Sequence, residues 1–166
     1  MLFRDTIALI DVATTQNNLG QFIETQTATE TFANEKSVRQ SEFYQALASN
    51  LRPEIAFEVR TIDYSEQKRI GHIEKITTAG AGTTTTVIKL ANHGLKVGDI
   101  IINKTRSLQR QVLSVVDTNT VTVTAIATMV AGDEIKWYTQ KYEILRTYSK
   151  NQEITELICQ KIVLGG

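Results

Sequence analysis

The stretch AGAGTTTT, residues 79–86, is the first place to look for phosphate chemistry. A glycine-rich loop can aim successive backbone N–H groups at a phosphate when Gly-Lys-Ser/Thr follows and opens a helix. Here Thr83 to Thr86 follow, then Val87 and Ile88. No lysine stands at the required place, and a β-branched run favours a strand over a helix. A dinucleotide fold would add a crossover helix and an acid about twenty residues on, and neither is apparent. The loop is therefore expected to lead into a strand, without a nucleotide.

The other candidate groups are few. His72 and His93 are the only histidines, whereas a catalytic zinc site wants three protein ligands. Neither GHIEK nor NHGLK supplies such a set. His93 is expected at a turn, polar and partly exposed. No Gly-x-Ser-x-Gly elbow occurs. Cys159 lies inside an alternating stretch, where a small packed side chain is expected. The carboxylates are scattered, and no local spacing pairs two of them. These residues predict no enzyme, no metal and no cofactor.

The elements that position these groups are read from the whole chain. Its 166 residues suit one domain, or one domain with an insertion. Eighteen basic residues balance eighteen acidic ones, whereas a dedicated duplex-DNA binder carries a basic excess. The single cysteine excludes an intrachain disulfide framework and fits a reducing compartment. Apolar runs such as DIIIN are too short to span a membrane, and no membrane partner is expected. The N-terminal MLFRDTIALIDVATT reads as a first strand, not a signal peptide.

Period-two alternation dominates. Strands are expected at 4–12 and 54–64, with one or two half-exposed strands over 22–33 and a turn at NNLGQ, 17–21. The segment 34–50 changes character: Glu42, Gln45, Ala46, Leu47 and Ala48 are mostly good helix formers. Ser41 is the expected N-cap, Glu42 sits at the positive end of the dipole, and Phe43 and Leu47 share a face. Asn50 and Pro53 close this helix. A short strand ends the 65–77 stretch, and 141–150 and 153–164 alternate again.

Residues 71–140 differ in composition. They hold thirteen threonines, eight valines and eight isoleucines, a strand-forming mixture. Strands fit at 86–90, 99–103, 110–116, 121–126 and 134–138. VVDTNTVTV reads as a hairpin with an Asp-Thr-Asn turn. KVGDII (96–101) and VAGDEI (130–135) echo one another, each with Gly-Asp turning into an apolar strand. This stretch reads as a small five-stranded barrel or roll of its own.

Phe43, Tyr44, Arg60, Tyr64, Tyr142, Arg146 and Tyr148 are of the types enriched at protein interfaces, although core packing would explain each equally well. Three segments that carry most of them, FANEKSVRQSEFYQA (32–46), LRPEIAFEVRTIDYSEQKRI (51–70) and KYEILRTYSKNQEITELI (141–158), resemble the head–tail adaptor, or head-closure, family of long-tailed phages. The resemblance lies in Lys-Ser-Val leading to Ser-Glu-Phe-Tyr-Gln-Ala, then Leu-x-Pro-Glu and Asp-Tyr, then Tyr-x-Ile-x-Arg-Thr-Tyr and Glu-Leu, in family order.

The resemblance implies a small antiparallel β-barrel with one short helix. It implies a structural ring component, without enzymatic activity, in the virion neck, assembled in the bacterial host cytoplasm. Such a stopper connects the portal-bound adaptor protein to a tail terminator or tail-completion protein and helps retain packaged DNA, which it contacts transiently. A subunit alone can remain a monomer. The segment from Ser37 to Leu51 would face the ring channel. Ser37, Arg39, Ser41, Glu42, Phe43, Tyr44, Tyr64, Arg146 and Tyr148 are the expected channel-facing or inter-subunit residues.

This chain departs from the family pattern by about seventy residues between Gly71 and Gln140, where typical members have a short hairpin. The expected division is therefore a joining barrel from 1–70 plus 141–166, interrupted by an inserted β-rich, barrel-like module from 71–140. A hairpin tip tolerates such an insertion when its ends lie close together. The alternative reading is a nucleic-acid-binding β-barrel module. It would need exposed aromatics for stacking, and the insert has only the adjacent Trp137 and Tyr138.

Overall fold

The computed structural model describes residues 2–124 and 128–163. The fold is mainly β, with antiparallel pairing and one α-helix among the described residues. In chain order the elements are β1 (Asp5–Gln16), β2 (Phe22–Lys36), α1 (Gln40–Ala48), β3 (Ile55–Arg60), a single 3-10 turn (Thr61–Asp63), β4 (Arg69–Thr78), β5 (Val87–Lys89), β6 (Ile100–Asn103), β7 (Leu108–Asp117), β8 (Thr120–Val123), β9 (Glu134–Ser149) and β10 (Ile154–Lys161).

Several elements run differently from the sequence expectation. β1 and β2 are longer, and 22–36 is one strand. The stretches expected at 134–138 and 141–150 are a single strand, β9, because no glycine, proline, asparagine or aspartate interrupts Thr139–Lys141. The expected strands 121–126 and 153–164 each extend past the described residues, at Ala125, Ile126 and Leu164. Ser41 does not cap α1. The helix begins at Gln40, Arg39 holds the cap position with extended backbone, and no side chain caps the helix. Ser41 therefore lies within the first turn, beside Glu42.

The chain divides into two compact units. The first comprises Met1–Asp11, Thr29–Ile73 and Gln140–Gly166; the second comprises Val12–Ala28 and Glu74–Thr139. The boundaries fall inside long strands instead of in linkers. Val12–Ala28, which the sequence division places in the first module, belongs to the second unit. The cause is a pair of glutamines on β7. Ala28 N donates to Gln109 Oε1 at 2.8 Å, and Gln109 Nε2 donates back to Ala28 O at 3.3 Å. Gln111 Nε2 donates to Glu24 O at 3.1 Å. Two amides spaced by two residues thus meet β2 backbone as a neighbouring strand would.

In the first unit β3 pairs with β2 from Ala33↔Val59 to Lys36↔Ala56 and with β10 from Ile154↔Arg60 to Cys159↔Ile55. β1 pairs with β4 at Ala8↔Gly71 to Ile10↔Arg69. The order β10-β3-β2-β1-β4-β9 returns to β10 through the β9–β10 pairing, so these strands form a closed ring. Period-two alternation sends Ile7 and Leu9, Phe57 and Val59, and Leu157 and Cys159 into one core with Ala33, Ile70 and Tyr142. Each large apolar side chain buried there contributes about 1.5–3 kcal/mol.

The second unit has strand order β9-β6-β7-β8-β5 and a separate core around Trp137, Ile88, Leu90, Ile101, Val121 and Ile135. The pairing Asp117↔Thr120 closes the expected hairpin around Thr118 and Asn119. The two Gly-Asp echoes adopt the same turn. Gly98 and Gly132 have φ of 88° and 93°. Asp99 Oδ2 accepts from Lys96 N at 2.9 Å, and Asp133 Oδ2 accepts from Val130 N at 3.2 Å. Asp133 also takes Asn103 Nδ2 at 2.8 Å and Arg106 Nε at 2.7 Å, so the second echo ties the β6–β7 turn as well.

Two outcomes follow from this architecture. Gly132→Ala places a Cβ in the left-handed region and lowers stability by about 1–2 kcal/mol, read as a lower denaturant midpoint at unchanged slope. Replacing Glu74–Thr139 by a short glycine-serine linker leaves the first core intact. Far-ultraviolet circular dichroism then retains a β signal and a cooperative melt, and complete loss of β structure would contradict two separate cores.

Candidate functional site

The segment between β2 and β3 carries the largest set of sequence-derived candidates, and it is rooted on a buried charge. Glu58, at 1% side-chain exposure, lies in β3 opposite Asn34 of β2 and Glu156 of β10. Two carboxylates facing each other across strands repel. Lysines resolve the conflict. Lys36, the last residue of β2, puts Nζ 2.7 Å from Glu58 Oε1. Lys150, in the β9–β10 turn, donates to the same Oε1 and sits 3.5 Å from Glu156 Oε2. Burial pushes the Glu58 carboxyl up, but hydrogen bonds from Lys150 and then Lys36 outweigh it and hold the group below its ordinary range. The hydrogen bond to Glu58 raises Lys150 above its ordinary value.

From this base the chain leaves as Ser37–Arg39 and enters α1. Ser37, Arg39 and Ser41 are exposed. Only Ala46 of the helix is buried. Glu42 is half-buried and accepts from Tyr148 Oη at 2.9 Å, a tether from β9 to α1. Phe43, Tyr44 and Leu47 are 40%, 61% and 50% exposed, and the rings of Phe43 and Tyr44 meet edge to face at 6.0 Å. The short helix thus presents Phe43, Tyr44 and Leu47 on a side that the segment itself leaves uncovered.

The remaining candidates divide. Tyr148 joins the α1 group through Glu42. Arg146 is half-buried on β9 opposite Ile158. Tyr64 packs against the first core and donates to Gln67 O at 3.3 Å; burial, then Glu66, raises its pKa. Tyr64 is thereby a core-packing side chain, drawn in because the 3-10 turn folds it over the end of β3. Sequence reasoning missed the Glu58 cluster, since Glu58 alternates with Phe57 and Val59 as an outward residue would. Gln109 and Gln111 gave no signal beyond their spacing.

In the second unit the AGAGTTTT loop uses its polar groups on itself. Gly80 N donates to Lys89 O at 2.8 Å, Thr83 Oγ1 donates to Gly80 O at 2.8 Å, and Lys89 N donates to Thr83 Oγ1 at 3.1 Å. These bonds seat the loop against β5. His93 is buried, at 3% exposure, contrary to the partly exposed side chain expected. Its Nδ1 accepts from Leu95 N at 2.8 Å, so Nε2–H donates to Asp117 O at 2.9 Å. The ring is enclosed because it satisfies turn backbone that would otherwise be buried without partners. His72 stands in the first unit beside Phe57, 5.1 Å between ring centroids. Among the described residues no three His, Cys, Asp or Glu side chains are placed to hold a metal ion. Trp137 and Tyr138 are both buried, so neither offers a stacking face for a nucleic-acid base. Cys159 is buried, and burial raises its thiol pKa far above the ordinary range. Among the described residues no helix is long and apolar enough to cross a membrane.

No protein-family model matches this chain. No curated protein matches it either.

The Glu58 cluster sets a pH window. A carboxyl held below its unfolded value contributes stability that is complete above about pH 5 and lost as pH falls through the folded value. Lys150, held above its ordinary value, contributes stability that is lost only as pH rises through its own folded value. Thermal melts should therefore be flat near neutrality and fall in acid, with a shallower acid slope for Glu58→Gln. Lys150→Ala leaves Lys36 on the Glu58 carboxylate, so it should lower the thermal midpoint at neutral pH but cost less than the roughly 3–5 kcal/mol of leaving a buried charge uncompensated.

Proposed function

We propose that the chain is a virion structural protein, a head–tail joining or head-closure ring component in the neck of a long-tailed phage. In this reading it sits between the portal-bound adaptor and a tail terminator or tail-completion protein, in many copies, and works by shape without catalysis or cofactor. The observation that carries the reading is where the resembling segments fall. Residues 32–46, 51–70 and 141–158 all belong to the first compact unit, while Glu74–Thr139 belongs to the second. A closed ring of strands with one short helix is the architecture that the resemblance implies for the joining barrel.

The physics of a stopper fits the Ser37–Leu51 segment. It carries one positive and one negative residue, Arg39 and Glu42. A segment that neutralises few phosphates gains little from counterion release, so it can meet packaged DNA without gripping it. Its root on Glu58, Lys36 and Lys150 supplies a firm base, and the tether from Tyr148 to Glu42 is a single hydrogen bond at the rim.

Electron microscopy of the purified protein with a portal–adaptor complex tests the proposal. The expected result is an added ring of density under the adaptor. A chain that stays unbound at saturating concentration, with a folded adaptor ring present, would sink the joining role.

A further inference from the structure

The second unit carries a polar cleft of about 510 Å³, a size within the range of small-ligand sites. Three chain segments wall it: the AGAGTTTT loop after β4, the end of β5, and the turn from β7 to β8. Hydrogen bonds lock these segments to one another. Gly80 N donates to Lys89 O, and Leu90 N donates to Asn119 O, both at 2.8 Å. Asn92 N donates to Asn119 Oδ1 at 2.9 Å. A Cβ on residue 80 would stand 3.3 Å from Lys89 Cβ, so glycine there lets the loop close on β5. The cleft is therefore preformed, and little chain freedom is lost when it is filled.

Its polar groups are only partly used within the chain. Lys89 and Asp117 are the charged residues that line it. Residues 78–83, 88–93 and 116–121, which form and flank the walls, hold no other Lys, Arg, Asp or Glu. His93 spends both ring nitrogens on turn backbone. Lys89 Nζ gives one of its N–H donors to Thr120 Oγ1, at 2.9 Å, and keeps the others. Asp117 Oδ1 accepts from Asn119 N at 2.7 Å. That bond, followed by the Thr120 hydroxyl, holds the Asp117 carboxyl below its ordinary range and keeps it an acceptor. The hydroxyls of Thr78 and Thr118 and the side-chain N–H donors of Asn119 meet no partner among the described residues.

We propose that this cleft binds a neutral saccharide, with vicinal hydroxyls donating to the Asp117 carboxylate and a sugar oxygen accepting from Lys89 Nζ. Opposite charges in one cleft select against other ligands. A phosphate would meet the Asp117 carboxylate, and a bare cation would meet the Lys89 ammonium. An apolar ligand would find only Ala81 and Ala91 over the buried Leu90. A zwitterionic amino acid would match the two charges but leave the threonine hydroxyls and the asparagine amide unanswered. A hydroxyl-rich molecule donates to one charged group, accepts from the other and answers the neutral groups between them. The cleft has no aromatic face for a sugar ring, so affinity in the millimolar range is expected. The site lies within the second unit and does not depend on the joining role.

Amide spectra of the isotope-labelled full chain read the binding. The probes are the methyl glycosides of glucose, galactose, mannose and N-acetylglucosamine, with inorganic phosphate and glycine as the competing chemistries, each titrated past the millimolar range. The expected result is saturable shifts with at least one glycoside, confined to amides of 78–83, 89–93 and 117–121. Asp117→Asn keeps an acceptor for Asn119 N, and Lys89→Gln keeps a donor for Thr120. Each should weaken the response to that glycoside several-fold while the rest of the spectrum stays unchanged. No saturable shift with any glycoside, or a response that both variants leave intact, overturns the proposal. Shifts of these amides by phosphate or glycine at lower concentration than by any glycoside overturn it as well, and reassign the cleft to an anion or an amino acid.

Discussion

Glu58 is the residue on which the first unit turns. It sits in the middle of β3, buried, with another glutamate across from it on β10. A buried carboxylate in that position is tolerable only when cations reach it. The two that do come from different places: Lys36 from the end of β2 and Lys150 from the turn between β9 and β10. One acidic side chain therefore sets the end of one strand, the approach of a turn, and the base from which the exposed Ser37–Leu51 segment departs. The helix in that segment has a single buried residue of its own, so its placement depends on this root and on Tyr148.

The second unit depends on a different device, the repeated Gly-Asp turn. A glycine at positive φ lets the chain reverse, and the following aspartate bonds the backbone three residues back. Burial of both aspartates makes each turn part of the fold instead of a loose link. His93 does the same for the turn before β6, with both ring nitrogens spent on backbone groups. Residues that look reactive in the sequence serve here as fasteners for irregular backbone. This follows from the need to satisfy polar groups wherever loops are buried.

Much of the fold was legible in the sequence because alternation has a direct physical cause. A strand half buried on one face must alternate, so Ile7 and Leu9 or Phe57 and Val59 announce their strands and their shared core. The helix α1 was legible from Glu42 to Ala48. Its start was not, since a serine one position into the helix looks like a cap and only backbone geometry shows that Arg39 occupies that place. Of the candidate residues chosen by type, Phe43, Tyr44 and Tyr148 are exposed. Tyr64 has the same type but packs on the core, because the surroundings of a side chain do not appear in its own letter.

Local order and composition, which act over a few residues, were determined by the sequence alone: a β-rich chain, one helix, two regions of different character near residues 71 and 140, and Gly-Asp turns that echo. What joins distant residues was decided only in three dimensions. Lys36, Glu58 and Lys150 are far apart in the chain and meet around one oxygen. Gln109 and Gln111 draw the β1–β2 hairpin arm into the second unit, across the division that the sequence suggested. Each of these contacts depends on strand register. A shift of one residue would turn Glu58 to the core face and both glutamines away from β2, and no local pattern records that choice.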